Sequence, residues 1–334
     1  MNCLLRTRKN QEKDKAAFLR NGKILLEKLL TCSDGKWNPI RGFSAEELKL
    51  ATNNYDTGEI IASYDHYNLH KGFLQNRPIS VMKFKDYYGE QSCFNNLVFA
   101  SQMTHKNVLQ LIGCCLETEI PTLVFESVEY DTLADRLHGL HGPHFQPLLW
   151  AHRLKIATEI ANAVAYLHLG FQRPIIFKVI QPSNILFDEQ NVAKLCDFSE
   201  SEVIPNGETH VKSEIMTVER RYFAPEYILT GFCNEKSDVY CFGRSLIELL
   251  TGKDGYPSLD SMKKHVENNE FDEIVDPIIA EDRFCAGKEL QLQAFVKLAF
   301  NCIKKSPVDR PTMVDVAKQL RQIFLSVDVE HHVT

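Results

Sequence analysis

The hydrophobic pattern of this chain changes its period near residue 126, and this change limits the folds that it can adopt. Between residues 56 and 126, apolar residues come in short runs typical of strands, interrupted by one helical run at 92–103. Beyond residue 126 they recur at helical spacing, over 132–140, 150–169, 236–251, 260–268, 289–304 and 313–325. We predict an α+β fold with a small, mostly antiparallel sheet and one main helix, followed by a larger helical lobe.

A basic segment precedes the sheet. Residues 1–42 contain one amphipathic pattern over 13–31, which we expect to pack on the body through Ala17, Leu19, Ile24, Leu25, Leu29 and Leu30. Ser44, followed three residues later by Glu47, is a capping box and predicts that a helix starts there. The predicted divisions are a lead at 1–42, an N-terminal lobe at 43–126, a C-terminal lobe at 127–325 and a tail at 326–334.

Composition and charge exclude several classes of protein. The chain is 44% hydrophobic and 25% charged, as soluble globular chains are, and no apolar run is long enough to cross a membrane. A net charge of −6 argues against a general nucleic-acid binder. The ten cysteines include no Cys-x-x-Cys pair, so neither a zinc site nor a disulfide framework is indicated. The first residues lack the apolar stretch of a secretory signal, and we expect a cytoplasmic protein.

Two local clusters suggest other chemistry. His138, His141 and His144 could form a metal cluster, but they lie in a loop without a nearby carboxylate or thiol, which favours solvated histidines. Cys3 beside Arg6 could carry a lipid next to a basic segment, whereas residue 2 is Asn and excludes N-myristoylation. One lipid would give at most peripheral attachment to the plasma membrane.

Six short motifs follow one another at characteristic spacing. They are Ser-Val-Met-Lys at 80–83, Ala-Tyr-Leu-His at 165–168, Asp-Phe-Ser at 197–199, Ala-Pro-Glu at 224–226, Asp-Val-Tyr-Cys-Phe-Gly at 238–243 and Asp-Arg-Pro at 309–311. Over about residues 43–325 the chain resembles the eukaryotic protein kinases, most closely the plant receptor-like cytoplasmic kinases. The resemblance implies a bilobal protein-kinase-like fold. It also implies that Glu226 pairs with Arg310 and that Asp238 holds the backbone of the catalytic loop.

The catalytic loop itself departs from this family. At the position of its aspartate, which accepts the proton of the substrate hydroxyl, the chain has Val179, flanked by Phe177, Lys178 and Gln181. An isopropyl group accepts no hydrogen bond, and loss of a positioned base costs roughly 10² to 10⁴ in rate. Lys178 and Gln181 replace an arginine and a lysine, which weakens phosphate recognition. The sequence therefore predicts that none of these loop residues is catalytic and that the chain is a pseudokinase.

The nucleotide-binding positions are only partly retained. By resemblance the candidate nucleotide-binding residues are Ala62, Leu69, Lys83, Glu126, Asn184 and Asp197, with Asn184 and Asp197 as the ligands if Mg²⁺ binds. Ala62, Tyr64 and Tyr67 replace the three glycines of the phosphate loop, and Asn96 replaces the glutamate that would pair with Lys83. We expect Asp197 to supply the counter-charge to Lys83. Two alternatives stay open: a regulatory site for ATP and Mg²⁺, or structural remnants beside tyrosines that partly fill the cleft.

The segment before residue 226 offers other candidate functions. Thr209, Ser213 and Thr217 are candidate modification sites, because kinases carry regulatory hydroxyls there. Arg220 and Arg221 replace a run that usually receives the peptide substrate, and they form a basic surface instead.

The replacements are typical of one plant subfamily of pseudokinases, whose members act as adaptors for a coiled-coil NLR immune receptor. The resemblance implies one surface for the leucine-rich repeats of the receptor and another for an active receptor-like cytoplasmic kinase or a bacterial effector. The alternatives are a weak, unconventional serine/threonine kinase and an ATP-gated scaffold. The sequence does not identify the effector, the partner kinase, the receptor-binding surface or the oligomeric state.

Overall fold

The fold is that of a computed structural model, which describes residues 2–33, 35, 37–86, 88–139, 147–213, 220–254, 259–268, 270, 273–281 and 287–326. The chain divides into two compact units. Unit 1 comprises Met1–Asp131 and Leu186–Ser201, and unit 2 comprises Thr132–Ile185 and Glu202–Thr334. The sequence placed 186–201 with the helical lobe. This segment belongs to unit 1 because Leu195 exchanges backbone hydrogen bonds with Leu109 and Asn107, at 3.0 and 2.9 Å.

Unit 1 contains a six-stranded sheet in the order β1-β5-β6-β4-β3-β2. The strands are β1 Arg41–Gly42, β2 Ile60–Ser63, β3 Tyr67–Leu74, β4 Arg77–Phe84, β5 Leu111–Cys115 and β6 Thr122–Glu126. All pairs are antiparallel except β1 with β5, so the predicted small antiparallel sheet is confirmed. β5 begins later than the predicted run at 108–112, because Val108 instead bridges to Leu195.

The two faces of this sheet have different neighbours. Helix α2, Ala45–Ala51, begins at the predicted capping box of Ser44 and Glu47. It covers one side, which we call the α2 face, where a hydrophobic cluster includes Leu48, Ile79 and Val81. The other side is called the Leu69 face. Helix α3, Tyr88–Ala100, is the helix for which the sequence predicted 92–103.

A long N-terminal helix, α1 Asn2–Cys32, packs along α3. Its buried side contains Leu29 and Asn21, and the Asn21 amide donates to the carbonyl oxygens of Leu116 and Thr118 at 3.0 and 2.8 Å. The predicted amphipathic pattern is therefore wrong in part. Leu19 and Leu30, which it assigned to the packed side, are 62% and 69% exposed, since they lie on the side of the helix away from Asn21.

Unit 2 is mainly helical. Its helices are α4 Leu133–His138, α5 Trp150–Leu169, α6 Pro225–Thr230, α7 Glu235–Thr251, α8 Leu259–Glu267, α9 Pro277–Glu281, α10 Lys288–Cys302 and α11 Met313–Leu325. The short strands that follow in the chain are β7 Ile175–Ile176, β8 Ile185–Phe187, β9 Ala193–Leu195, β10 Glu202–Val203, β11 Val211–Lys212 and β12 Phe232–Cys233. Of these, β9 and all of β8 except Ile185 belong to unit 1. The bounds of α5 and α11 are those predicted. α6 and α9 were missed because each is under two turns long and gives no periodic signal.

The helical core of unit 2 is built on α5, which packs against α11 and α7. Trp150 is fully buried and donates its indole N–H to Gln291 of α10 at 2.9 Å. Within the described part of the chain, no helix combines the length and the apolarity that crossing a membrane requires.

Candidate functional site

A buried carboxylate fixes the backbone of the loop at 177–181. Asp238, at the start of α7, is 0% exposed and accepts the backbone N–H groups of Phe177 and Lys178 at 2.9 and 2.8 Å. Nε2 of His168 lies 2.9 Å from the same carboxylate. None of these contacts involves the side chain of Val179, so the loop keeps its position whichever residue is there.

Val179 presents no polar atom in its side chain and is 7% exposed. Its carbonyl oxygen accepts a hydrogen bond from the Asn184 amide at 3.1 Å. Gln181 is neutral, and its Oε1 is buried without a hydrogen-bond partner among the described residues. Neither position can accept a proton from a hydroxyl or attract a phosphate by charge.

Lys178, next in the loop, is held by two groups from the segment that follows the Asp-Phe-Ser motif. Its backbone is in the left-handed region at φ +71°, and its side chain is 3% exposed. The ammonium donates to Glu202 at 2.9 Å and to the Ser213 hydroxyl at 2.7 Å. Burial alone would lower the pKa of Lys178, but the charge of Glu202 raises it above its ordinary value. Lys178 therefore stays charged inside unit 2.

The register of β4 separates Lys83 from the other candidate nucleotide-binding residues. Met82 pairs with Leu69 on one side and with Leu123 on the other, whereas Lys83 pairs with Asn68. Side chains of directly paired residues share a face, and successive residues alternate between faces. Met82 therefore lies on the Leu69 face, where it is 1% exposed, and Lys83 lies on the α2 face.

The environment of Lys83 contradicts its predicted role. Lys83 is exposed, and its ammonium lies 3.8 Å from the centroid of the Tyr55 ring. Partial burial, and secondarily the charge of Lys49, lower the pKa of Lys83. The prediction that Lys83 is a buried lysine paired with Asp197 is wrong, because a one-residue step along a strand reverses the side chain.

The sequence contained two conflicting signals for this register, the letter Lys at 83 and the sizes of the side chains that precede it. The kinase motif Val-Ala-Ile-Lys matches 79–82, Ile-Ser-Val-Met, in the sizes of its first three side chains, which puts Met82 in the lysine position. Matching the letter Lys alone shifted the motif by one residue. Alternation from the buried apolar Val81 also predicts that Lys83 shares its face.

Asn96 binds the Asp-Phe-Ser segment directly. It is 1% exposed; its Nδ2 donates to Oδ1 of Asp197 at 3.0 Å, and its Oδ1 accepts the Phe198 N–H at 2.7 Å. Oδ1 of Asp197 also accepts the Ser199 N–H at 3.1 Å. The carboxylate that a metal would require is thus already bound by two donors of unit 1.

Aromatic side chains occupy the Leu69 face beside Met82. The Tyr67 ring lies 4.5 Å from the Tyr64 ring and 5.5 Å from the Phe84 ring, between centroids. Burial, and then the charge of Asp197, raise the pKa of Tyr67 well above its ordinary value. Ala62 pairs with Leu69 at the edge of this face.

The remaining candidate residues do not complete an ATP site. Protein kinase domains generally bind ATP and Mg²⁺, but β4 places no cation on the Leu69 face, where the phosphate lysine is needed. The Glu126 carboxylate accepts from Lys194 at 3.0 Å and from the Gln110 N–H at 3.1 Å. Asn184 belongs to unit 2. Within unit 1, β4 therefore supplies no cation for the phosphates of a nucleotide, and the described residues hold no cluster of three metal-binding side chains.

A buried ion pair connects α6 to the segment before α11. Arg310 is 2% exposed, and its guanidinium donates to both carboxylate oxygens of Glu226 at 2.6 and 2.8 Å. It also donates to the carbonyl oxygens of Lys236, Lys304 and Lys305. This bidentate geometry fixes two segments of unit 2 that are distant in sequence.

The other predicted positions have separate environments. Thr209 is exposed, with its hydroxyl 3.1 Å from the His210 ring, whereas Thr217 lies outside the described residues. Arg220 and Arg221 are exposed, and Arg221 pairs with Asp254.

Of the three histidines at 138–144, the structure describes His138, which ends α4. Its Nε2 lies 2.7 Å from Glu248, and its Nδ1 lies 3.2 Å from the Gly252 carbonyl oxygen. His141 and His144 lie outside the described residues, as does the side chain of Cys3.

Comparison with known families agrees with this arrangement. The family model described as protein tyrosine and serine/threonine kinase matches residues 66–320. The chain belongs to the protein kinase family. The kinase match includes the loop at Val179, the Asp-Phe-Ser segment and the buried pair of Glu226 with Arg310.

Individual kinase-family relatives extend the similarity beyond that segment. The chain is 36% identical over 337 residues to Serine/threonine-protein kinase ZRK1 of Arabidopsis thaliana, which covers 96% of each chain. It is 39% identical over 334 residues to Non-functional pseudokinase ZED1 of the same plant, covering 94% of this chain and 98% of ZED1. Non-functional pseudokinase ZRK2 is 35% identical over 96% of this chain. These relatives include both proteins named as kinases and proteins named as non-functional.

Proposed function

We propose that this member of the protein kinase family is a pseudokinase that acts as an adaptor in plant innate immunity. The pseudokinase assignment is supported by one observation: Val179 lies in a loop whose backbone is still held by Asp238. The scaffold of the loop is kept, while its proton acceptor is missing. Met82 on the Leu69 face supports the same reading, since it leaves no lysine on β4 for the phosphates.

An adaptor needs a surface, and α1 offers one. Leu19, Leu26 and Leu30 are spaced by seven and four residues, so they share one side of the helix, and each is more than half exposed. Lys23 and Glu27 lie beside them. An apolar stripe with charged neighbours is typical of a protein-binding surface. We assign the leucine-rich repeats of a coiled-coil NLR receptor to this surface, which we call the α1 stripe.

The adaptor would join this receptor to a second protein. Its candidates are an active receptor-like cytoplasmic kinase and a bacterial effector, met through the segment around Arg220 and Arg221. Modification of Thr209, Ser213 or Thr217, or of the bound kinase, would then shift the receptor toward its active state. We place the complex in the cytoplasm, with at most peripheral attachment to the plasma membrane.

Direct binding tests this proposal. The purified chain is titrated by calorimetry with the leucine-rich repeats of plant coiled-coil NLR receptors. A Leu26→Glu, Leu30→Glu variant should bind at least about tenfold more weakly, because it puts charge on two of the three leucines of the stripe. Leu169→Glu, at an equally exposed leucine of unit 2, is the matched control and should change binding less than about twofold. Binding that survives the α1 variant, or no receptor that binds, overturns the assignment.

The alternative is a weak, unconventional kinase, and the name of ZRK1 favours keeping it. A phosphorylation assay of homogeneous protein with radiolabelled ATP and Mg²⁺ distinguishes the weak kinase from the pseudokinase. Stoichiometric transfer to a peptide would establish the kinase and refute the pseudokinase. An ATP-gated scaffold predicts a rise in melting temperature with millimolar ATP and Mg²⁺. Because β4 places no lysine on the Leu69 face, we expect no such rise.

A further inference from the structure

Two neighbouring asparagines of α3 bind the backbone and the side chain of the Asp-Phe-Ser segment. Asn96 uses both ends of its amide, as donor to Asp197 and as acceptor for the Phe198 N–H. Asn95 donates to the Ser199 carbonyl oxygen at 2.8 Å. An amide is the side chain that suits Asn96, because it combines a donor and an acceptor, whereas a carboxylate would repel Asp197.

The segment that they bind has an unfavourable backbone. Asp197 has φ +70°, in the left-handed region that residues with a Cβ seldom adopt. Such a conformation persists only where its surroundings impose it. Here the surroundings are the two amides and the Phe198 side chain, which is 1% exposed and stacks at 6.4 Å, between centroids, on Phe99 of α3.

The N-terminal helix extends this network. The Lys28 ammonium of α1 donates to Oδ1 of Asn95 at 3.2 Å, so the amide that binds Ser199 is itself oriented by α1. Gln91 donates to the same oxygen at 3.3 Å. Arg20 holds α1 against the start of α3 through Glu90 at 2.5 Å. Lys28 is half-buried, and it lies on the side of α1 that faces away from Leu26 and Leu30.

We propose that Asn95 and Asn96 form a clamp that holds residues 197–199 in one conformation without nucleotide or metal, and that α1 sets this clamp through Lys28. Helix α1 and the start of the segment that leads to residue 226 are then joined by two successive hydrogen bonds, Lys28 to Asn95 and Asn95 to Ser199, and Asn96 binds the adjoining Asp197 and Phe198. A ligand that displaces α1 loosens that segment, and a ligand that fixes α1 tightens it. The clamp stands on hydrogen bonds within unit 1 and does not depend on which partner binds.

Hydrogen exchange of the full chain tests the clamp. Asn96→Leu keeps the number of side-chain heavy atoms but removes the hydrogen bonds to Asp197 and Phe198, and the Phe198 amide should exchange at least about fivefold faster, the factor for one lost hydrogen bond. Lys28→Met keeps the aliphatic stem and removes the donor, and amides 199–201 should exchange about twofold to fivefold faster. Lys23→Met is the matched control, since its ammonium is on the same helix and pairs with Glu27, at 3.9 Å. It should leave these amides unchanged.

Each result decides part of the proposal. Unchanged exchange of Phe198 in Asn96→Leu refutes the clamp. Unchanged exchange of 199–201 in Lys28→Met, or the same increase in Lys23→Met, refutes the role of α1. Circular dichroism and the melting temperature of every variant separate a local effect from global unfolding. If Asn96→Leu does not fold, Asn95→Leu replaces it, because Asn95 is less buried; its loss frees the Ser199 carbonyl oxygen and removes the acceptor of Lys28 and Gln91.

Discussion

Substitutions at two neighbouring residues of β4 would test the strand register most directly. Lys83 is exposed, so Lys83→Met removes one cation–π contact of roughly 0.5–1 kcal/mol. Met82 is 1% exposed, so Met82→Lys puts an ammonium where water is absent. A buried lysine that lacks a counter-charge can have a pKa of about 5–6 and is then neutral at pH 7. Keeping this lysine neutral costs about 1.4 kcal/mol for each unit by which the pH lies below its ordinary pKa of about 10.4. At pH 7 the folded state of Met82→Lys is therefore destabilised by ~5 kcal/mol.

Urea unfolding of both variants and of the wild type, at pH 7 and pH 9, measures this difference. The pKa of the introduced lysine is lower in the folded state than in the unfolded state, so its destabilisation shrinks as the pH rises toward about 10.4. We expect ~5 kcal/mol at pH 7 and ~2 kcal/mol at pH 9 for Met82→Lys, and at most about 1 kcal/mol at either pH for Lys83→Met. If Lys83→Met strongly lowered the free energy of unfolding while Met82→Lys left it unchanged, Lys83 would face inward and the register would be refuted.

Three further outcomes are expected. Val179→Asp should not restore peptide phosphorylation from radiolabelled ATP, because Met82 leaves the phosphate charge missing; turnover above about one per second contradicts this. Glu226→Ala should cost about 3 kcal/mol in urea unfolding by stranding buried Arg310, and Glu226→Ala, Arg310→Met should cost less than the sum of the two singles. Burial alone would lower the pKa of His138, but Glu248 raises it above its ordinary value. The charged pair therefore stabilises the folded state most below about pH 6.5, and this stabilisation is lost as the pH rises through the pKa of the folded state. His138→Gln should therefore lose more stability at pH 5.5 than at pH 8.5; an equal loss would exclude a charged histidine.

Long periodic segments of the fold could be predicted from the sequence, and short ones could not. α5 and α11 have the predicted bounds because each contains several turns of apolar spacing. The capping box of Ser44 and Glu47 located the start of α2 by local hydrogen bonds alone. α6 and α9 were missed, and β5 was displaced, because its start is decided by which residues find a partner strand.

The candidate site shows the same limit. Spacing along the chain was enough to place Val179 in the catalytic loop and Asn96 nine residues before His105. It could not decide whether Lys83 or Met82 faces Leu69, because the two assignments differ by one residue and the sequence match tolerated either. The contact of Asn96 with Asp197 was also missed, since the two are 101 residues apart.

The amino-acid sequence by itself determined that a carboxylate is absent at 179, that three glycines are replaced, and that helices follow a sheet. Those properties depend on residue identity and on local periodicity, and both can be read along one dimension. Only tertiary structure decided which face of β4 carries the lysine, which donor satisfies Asp197, and which side of α1 is left uncovered. These depend on pairing between distant segments, where a single step of register reverses a side chain and burial decides whether a charge can be kept.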